Sequence, residues 1–380
     1  MASIRTLLAL IASLVGLFLA IPIVVVGFPF WAVAWLTNRA TRLLESKVVP
    51  WDQLIRFDPT FGWTPKANLN THCVSDLGGD VFHITTDSEG WPGVSTIEQS
   101  PVMVFGDSFA FGYGVNAEAL FSEVNPKLHI KAIGAPGYNM VQEVMWMDRL
   151  ASQLQGKLVV WFIYVGNDLY ENLQPNMQDY RTPFVRHVRS TGEWEIVNSH
   201  LSSAKWWPYH ADDKLRSAER FAAIFGTSFL SERVYSACDF LIKSGSDICA
   251  RAGASLIIIT IPILHQLSLK GWKQRMSDLG YPESLDLNQP DRRIAEICSR
   301  YGVRFVAGKD HLNVRHFIPA DGHWNEKGHQ RISDLIAELY REPSWPSTRN
   351  DSDLELHLSR AQKPPTGTFL QGQSNGAPID

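Results

Sequence analysis

Four short blocks of the chain carry side chains that could act together on an ester. V-F-G-D-S-F, Val104 to Phe109, offers the Ser108 hydroxyl. G-A-P-G-Y-N, Gly134 to Asn139, offers unobstructed backbone N–H groups at Gly134 and Gly137. G-N-D, Gly166 to Asp168, offers the Asn167 carboxamide, and D-G-H-W-N, Asp321 to Asn325, offers the His323 imidazole with a carboxyl two residues before it. A serine hydroxyl is a weak nucleophile until a neighbouring base takes its proton. Imidazole titrates near neutral pH and suits that task, and a carboxylate such as Asp321 can fix its tautomer. Attack on a carbonyl builds a negative oxygen, which preorganised donors must meet: the Ser108 N–H, a glycine N–H and the Asn167 amide.

Each block also has a plainer reading. Ser108 could be no more than the N-cap of a helix, a common serine role, and His323 a satisfied core histidine. Gly137 and Gly134 are both open to the glycine role. Asp107 is expected to position the serine turn and Asp168 to brace the Asn167 loop. Asn325 and Gly328 are expected to shape the start of the last helix. His329 and His311 have no assigned partner and read as surface or supporting residues. What favours joint chemistry is placement, because each block follows a segment that reads as a buried strand.

Those segments are 101–106, 129–134, 157–166, 255–262 and 303–308, continuous apolar runs of the kind covered on both faces. Helical patterns lie among them at Gln142 to Gln153, Ser231 to Arg251, Pro290 to Tyr301 and Glu326 to Tyr340. The alternation predicts an α/β fold, a three-layer doubly wound parallel five-stranded sheet with helices on both faces. Ligands in such sheets bind at the carboxyl ends of the strands, where all four blocks fall. The chain is predicted to divide into a membrane anchor (1–37), a juxtamembrane helix and lead-in hairpin (38–98), a catalytic domain (99–342) and a disordered polar tail (343–380). Within the second part, Asn38 to about Arg56 reads as a charged helical stretch. The interval 169–227 shows no strong periodicity and reads as an insertion or lid; its Trp206-Trp207 pair either stacks on substrate or anchors the insertion.

Composition excludes other classes. With 35 basic and 39 acidic residues, a formal net charge of −4 and no basic stripe, nucleic acid is not an expected partner. The four cysteines, Cys73, Cys238, Cys249 and Cys298, form no metal-binding spacing, and neither a metal nor an organic cofactor is expected. Cys238 and Cys249 could pair in an oxidising compartment, or all four could be buried free thiols. No feature specifies an oligomeric state. Leu7 to Leu36 is free of charge. At helical rise it would extend about 45 Å, beyond the roughly 30 Å of a hydrocarbon core. It reads as a retained membrane segment, kinked or hairpin-like at Pro22 and Pro29, ahead of a cleaved signal or a buried helix. Arg39, Arg42 and Lys47 after it give a weak positive-inside signal for a cytoplasmic body.

The four blocks resemble those of the SGNH hydrolase superfamily, the GDSL esterases and lipases, across roughly Phe57 to Glu342. H-I-T-T-D-S-E-G-W-P-G, from His83, resembles the lead-in of membrane-anchored bacterial members. The resemblance implies a flavodoxin-like SGNH fold with Ser108 as nucleophile, His323 as base and Asp321 as its partner. It implies an oxyanion hole from Ser108, Gly137 and Asn167, and Gly137 is preferred over Gly134 because its Pro-Gly-Tyr turn matches the usual block. The common spacing puts the acid three residues before the histidine, where this chain has Ala320. The D-x-H-W form resembles the branch that includes proteins of polysaccharide O-acetylation. The function so implied is an esterase or deacylase acting on an acylated glycan or lipid through an acyl-enzyme. A polysaccharide O-acyltransferase using the same triad is the alternative, and a catalytically silent glycan-binding protein the lesser one. The same resemblance leans toward an extracytoplasmic body, against the charge signal.

Overall fold

The computed structural model describes residues 48–75, 80–177, 180–198, 201, 213–280, 285–319 and 321–342. The apolar run 7–36, the Trp206-Trp207 pair and the tail from residue 343 lie outside the described residues. Among the described residues, no helix is long and apolar enough to cross a membrane. The chain separates into Met1–Val49 and Pro50–Asp380, and the second unit holds all four sequence blocks.

The expected helical stretch to Arg56 is corrected for its described part. Trp51–Gln53 is a single 3-10 turn, and the next element is strand β1, Ile55–Asp58. Pro50 cannot donate to a preceding helical turn and biases the residue before it toward extended backbone. β1 pairs antiparallel with β2, Gly62–Pro65. A second hairpin joins β3, Asn70–Val74, to β4, Val81–Thr85. The lead-in is thus two hairpins. The Asp87 carboxylate just beyond them accepts the N–H groups of Glu89, Gly90 and Trp91, at 2.8, 2.8 and 2.9 Å. Its other oxygen meets the Lys131 ammonium at 2.8 Å. That lysine is buried in the edge strand of the main sheet, so the pair ties the lead-in to it.

The main sheet contains β5 (Val102–Gly106), β6 (Ile130–Gly134), β7 (Leu158–Tyr164), β10 (Ser255–Ile261) and β11 (Arg304–Ala307). Between β7 and β10 in the chain, β8 (Phe184–Val188) and β9 (Glu193–Val197) form a separate antiparallel hairpin. All neighbours in the main sheet are parallel. Their spatial order is β11-β10-β7-β5-β6. Counting only these five strands along the chain, that is the flavodoxin-like order 2-1-3-4-5, whose direction of winding reverses between β5 and β7. The strands are covered on both faces, as their unbroken apolar character requires. Met103, Phe105 and Ile163 pack into one core with Val144 and Met147 of α2 (Met140–Arg149), Val234 and Leu241 of α5 (Phe229–Ala252), and Ile294 of α7 (Gln289–Arg300). Val102, Val104 and Phe162 pack into the other core with Ile332 and Ile336 of α8 (Glu326–Arg341). Alternate residues of each strand therefore serve opposite layers, which makes the three-layer architecture.

Helix limits follow from capping chemistry. Asn139 caps α2 through the N–H groups of Val141 and Gln142, so that helix begins before the Gln142 suggested by its pattern. Ser228 caps α5, and Gly253, at φ +68, ends it. A further helix, α6 (Leu269–Leu279), is capped by Ser268 and was not anticipated. The interval 169–227 is more regular than its sequence suggested. It holds the β8–β9 hairpin and the helix α4 (Asp213–Phe225). All four cysteines are buried, and none is in a disulfide among the described residues. Cys238 and Cys249 both lie in α5, about 16 Å apart along the axis at helical rise, so a disulfide between them is excluded.

Candidate active site

Strand β5 runs straight into the serine turn. Asp107 carries the N-cap of α1 (Ser108–Phe111), its carboxylate accepting the Phe109 N–H at 2.9 Å. Ser108 is thus not the cap, and its hydroxyl is free of that duty. Gly134, paired with Gly106 across the sheet, permits this close turn. A Cβ on Gly134 would lie 2.7 Å from the Gly106 carbonyl oxygen and 2.8 Å from that of Asp107. Its absent side chain makes room for the serine turn, which leaves Gly137 as the better candidate donor.

The Ser108 hydroxyl lies 2.8 Å from His323 Nε2. His323 Nδ1 meets Asp321 Oδ1, and the His323 backbone N–H donates to the same oxygen at 3.1 Å. This double contact accounts for an acid only two residues from its histidine. Gly322 between them sits at φ +87, a left-handed conformation that folds the carboxylate back onto the ring. The Asp321 side chain is 1% exposed and that of His323 20% exposed. Burial alone would raise the Asp321 carboxyl, but the His323 side chain and charge, the Ser75 hydroxyl and the His323 N–H outweigh it and hold the carboxyl below its ordinary value. An ionised carboxylate only accepts, so the neutral form of His323 carries its proton on Nδ1 and presents a lone pair at Nε2. The Ser108 hydroxyl then donates to Nε2, and its contact with Asp107 at 3.4 Å is the weaker alternative. The rings of Phe109 and Tyr113, with centroids 4.9 and 5.0 Å from that of His323, hold the imidazole from two sides.

Asn167 begins the short helix α3 (Asp168–Glu171) at the carboxyl end of β7. The Asp168 carboxylate braces this turn by accepting the Tyr164 N–H at 2.7 Å. Asn167 Nδ2 donates to Glu171 Oε2 at 2.9 Å. Gly137 follows β6 in a turn at φ +77. In the sheet, β6 and β7 flank β5, so Gly137 and Asn167 lie in loops at the strand ends to either side of Ser108. The β5–β7 gap is the topological switch point, where doubly wound sheets bind ligands.

Sequence reasoning missed the part played by the lead-in. Ser75, after β3, donates its hydroxyl to Asp321 Oδ2, so the Asp321 carboxylate is held from both sides. Trp63 of β2 donates its indole N–H to the Pro136 carbonyl at 3.0 Å, and the Tyr138 hydroxyl donates to the Trp63 carbonyl at 2.9 Å. The hairpins therefore fix the turn containing Gly137 as well as the acid. Removing the Ser75 hydroxyl in Ser75→Ala is expected to lower kcat about tenfold, the scale of one hydrogen bond to a charged group. KM should be little changed, and steady-state kinetics on p-nitrophenyl acetate measure both.

Three other residues differ from their sequence reading or refine it. His329 is buried, not at the surface. Its Nδ1 accepts the Phe121 N–H at 3.2 Å, and burial, helped by the His323 charge, pushes it down to about 3. It is a neutral structural acceptor at physiological pH. Asn325 caps α8 by accepting the Lys327 and Gly328 N–H groups at 3.0 and 3.1 Å, while a Cβ on Gly328 would strike the His316 carbonyl oxygen.

The site is rich in buried acid. Burial raises Asp107 from 3.8 to about 6, against the Phe109 N–H, the His323 charge and the Ser108 hydroxyl. Burial likewise raises Glu171 from 4.5 to about 7, against the Arg220 charge and the Asn167 amide. A carboxyl whose folded value is raised contributes stability below its unfolded value, and that contribution is lost as pH rises through the folded value. The thermal unfolding midpoint should therefore fall as pH rises from about 4 to about 7, and the fall should be shallower in Glu171→Gln. Midpoints of both proteins across that range check the sign. Among the described residues, no cluster of three or more His, Cys, Asp or Glu side chains could hold a metal.

Neither a scan of protein-family models nor a search of curated proteins finds a match to the chain. Solved structures do. They include a carbohydrate acetylesterase family member from Sinorhizobium meliloti, 13% identical over 63% of this chain and 96% of that one, with a TM-score of 0.36. A GDSL-like lipase from Bacteroides thetaiotaomicron is 12% identical over 65% and 90%, with a TM-score of 0.33. An inhibitor-bound aryl esterase from M. smegmatis is 10% identical over 63% and 97%, with a TM-score of 0.33.

Proposed function

We propose that the chain is a serine esterase that removes acyl groups from a glycan or lipid through an acyl-enzyme. The observation that carries this reading is the continuous hydrogen-bonded chain from the Ser108 hydroxyl through His323 to Asp321. In the proposed reaction, Ser108 Oγ bonds to the ester carbonyl carbon while its proton passes to His323 Nε2. Asp321 stabilises the imidazolium without taking the proton. The developing oxyanion is met by the N–H groups of Ser108 and Gly137 and by Asn167 Nδ2. Collapse breaks the bond to the alcohol, which leaves with the proton from Nε2. Water then attacks the acyl-serine, giving a proton to Nε2, and the carboxylic acid departs as Ser108 recovers its hydrogen.

The glycan preference is supported by the D-x-H-W spacing, which resembles the polysaccharide-modifying branch, and the lead-in resembles that of membrane-anchored bacterial members. Anchoring through residues 7–36, with the body outside the cytoplasm, is part of the same proposal, supported by the charge-free run and by that resemblance. The test is incubation of the purified full chain with an O-acetylated polysaccharide, reading free acetate. Acetate release that is lost in Ser108→Ala is the expected result, and release unaffected by that change would contradict the reading. Appearance of the acyl group on an added acceptor glycan, with little free acetate, would make the protein an O-acyltransferase instead.

A further inference from the structure

We propose that Glu171 is a positioning residue for the oxyanion donor, and that Arg220 on the insertion helix completes its support, so that the insertion is part of the catalytic apparatus. This rests on the esterase reading and on Asn167 as an oxyanion donor. Asn167 and Glu171 stand one helical turn apart, a spacing that puts two side chains on one face. The Asn167 amide is held through Nδ2, which gives one hydrogen to Glu171 Oε2. Asn167 Oδ1 is buried and makes no hydrogen bond. A carboxylate can only accept, so while Glu171 is ionised the amide nitrogen faces it. The second hydrogen of Nδ2 is then left for the substrate oxygen. Among the described residues, no hydrogen bond other than that of Glu171 keeps the amide from rotating its oxygen, a repulsive group, toward the oxyanion.

Ionisation is what Arg220 supplies. Glu171 is 13% exposed, and Arg220 Nη1 lies 3.8 Å from its Oε1. Burial pushes Glu171 up to about 7 even so, with the Arg220 charge and the Asn167 hydrogen bond opposing it. Arg220 belongs to α4, far from Asn167 in sequence and separated from it by the β8–β9 hairpin. A cation delivered by the insertion therefore maintains the orientation of an amide at the end of a sheet strand.

A double-mutant cycle tests this. The purified full chain, Glu171→Ala, Glu171→Gln, Asn167→Ala and Asn167→Ala/Glu171→Ala are assayed at pH 8 with p-nitrophenyl acetate, with thermal midpoints recorded and Ser108 labelling by a fluorophosphonate measured. Glu171→Ala is expected to lose roughly tenfold or more in kcat, with KM within about twofold. Glu171→Gln, which still offers an acceptor, should recover most of that loss. In the Asn167→Ala background, Glu171→Ala should cost less than about twofold more, because its effect runs through the amide. A kcat near wild type in Glu171→Ala, or full additivity in the double variant, would overturn the proposal. Loss of Ser108 labelling in the wild-type protein would instead overturn the esterase reading, and this proposal with it. Arg220→Ala should reproduce part of the Glu171→Ala loss and Arg220→Lys less of it, whereas unchanged turnover in Arg220→Ala would overturn the part assigned to Arg220 and α4.

Discussion

Replacing Ser108 by alanine is expected to lower kcat for p-nitrophenyl acetate by roughly 10⁴–10⁶-fold while leaving the protein folded. The size follows from what is lost: among the described residues, the Ser108 hydroxyl is the one hydrogen-bonded to His323 Nε2, so without it the proposed acyl-enzyme cannot form. Folding should be spared because the cap of α1 is Asp107, whose carboxylate holds the Phe109 N–H independently of the serine side chain. The thermal midpoint of Ser108→Ala should thus stay within a few degrees of wild type. A variant that unfolded would mean the hydroxyl is structural. A folded variant with wild-type turnover would mean the serine is no more than part of a turn.

The second large effect is expected from Asp321→Asn, about 10⁴-fold in kcat with the fold retained. The carboxylate accepts from two nitrogens of His323, backbone and ring, and from the Ser75 hydroxyl. An asparagine there can turn its N–H₂ toward Nδ1, which stabilises the tautomer protonated on Nε2. That tautomer cannot accept the Ser108 proton. Because Asp321 is held below its ordinary value of 3.8, the wild-type carboxylate stays charged through any assay above that pH. The deficit of Asp321→Asn should therefore persist across the neutral range and not be restored by raising pH. Rate measurements from about pH 6 to about pH 9 on both proteins, a range that brackets the ordinary titration of histidine, check this.

How far the sequence foretold these arrangements depended on how local each one is. The strand ends carrying Ser108, Gly137 and Asn167 were legible because buried parallel strands read as apolar runs and end in small or polar residues. The pairing of Asp321 with His323 was legible for the same reason, being two residues apart. Ser75 reaching Asp321, and Arg220 reaching Glu171, join segments that no spacing rule connects, and only the fold brings them together. α4 was overlooked because its sequence lies in a long aromatic and charged interval without a dominant period. α6 was overlooked because it alternates Lys, Gln and Arg with few buried positions, Trp272, Met276 and Leu279. The expected helix toward Arg56 failed at Pro50, where backbone restriction outweighed charge patterning. His329 read as unassigned because burial of an imidazole depends on what packs over it, here Phe121 and Trp324.

The central claim is that His323 makes Ser108 a nucleophile. The most direct measurement is treatment of the purified full chain with a fluorophosphonate, followed by mass-spectrometric mapping of the adduct. The predicted result is a single stoichiometric adduct on the peptide containing Ser108, absent from Ser108→Ala and strongly slowed in His323→Ala. Folded protein that takes up no label, or that is labelled equally well without His323, would contradict the claim.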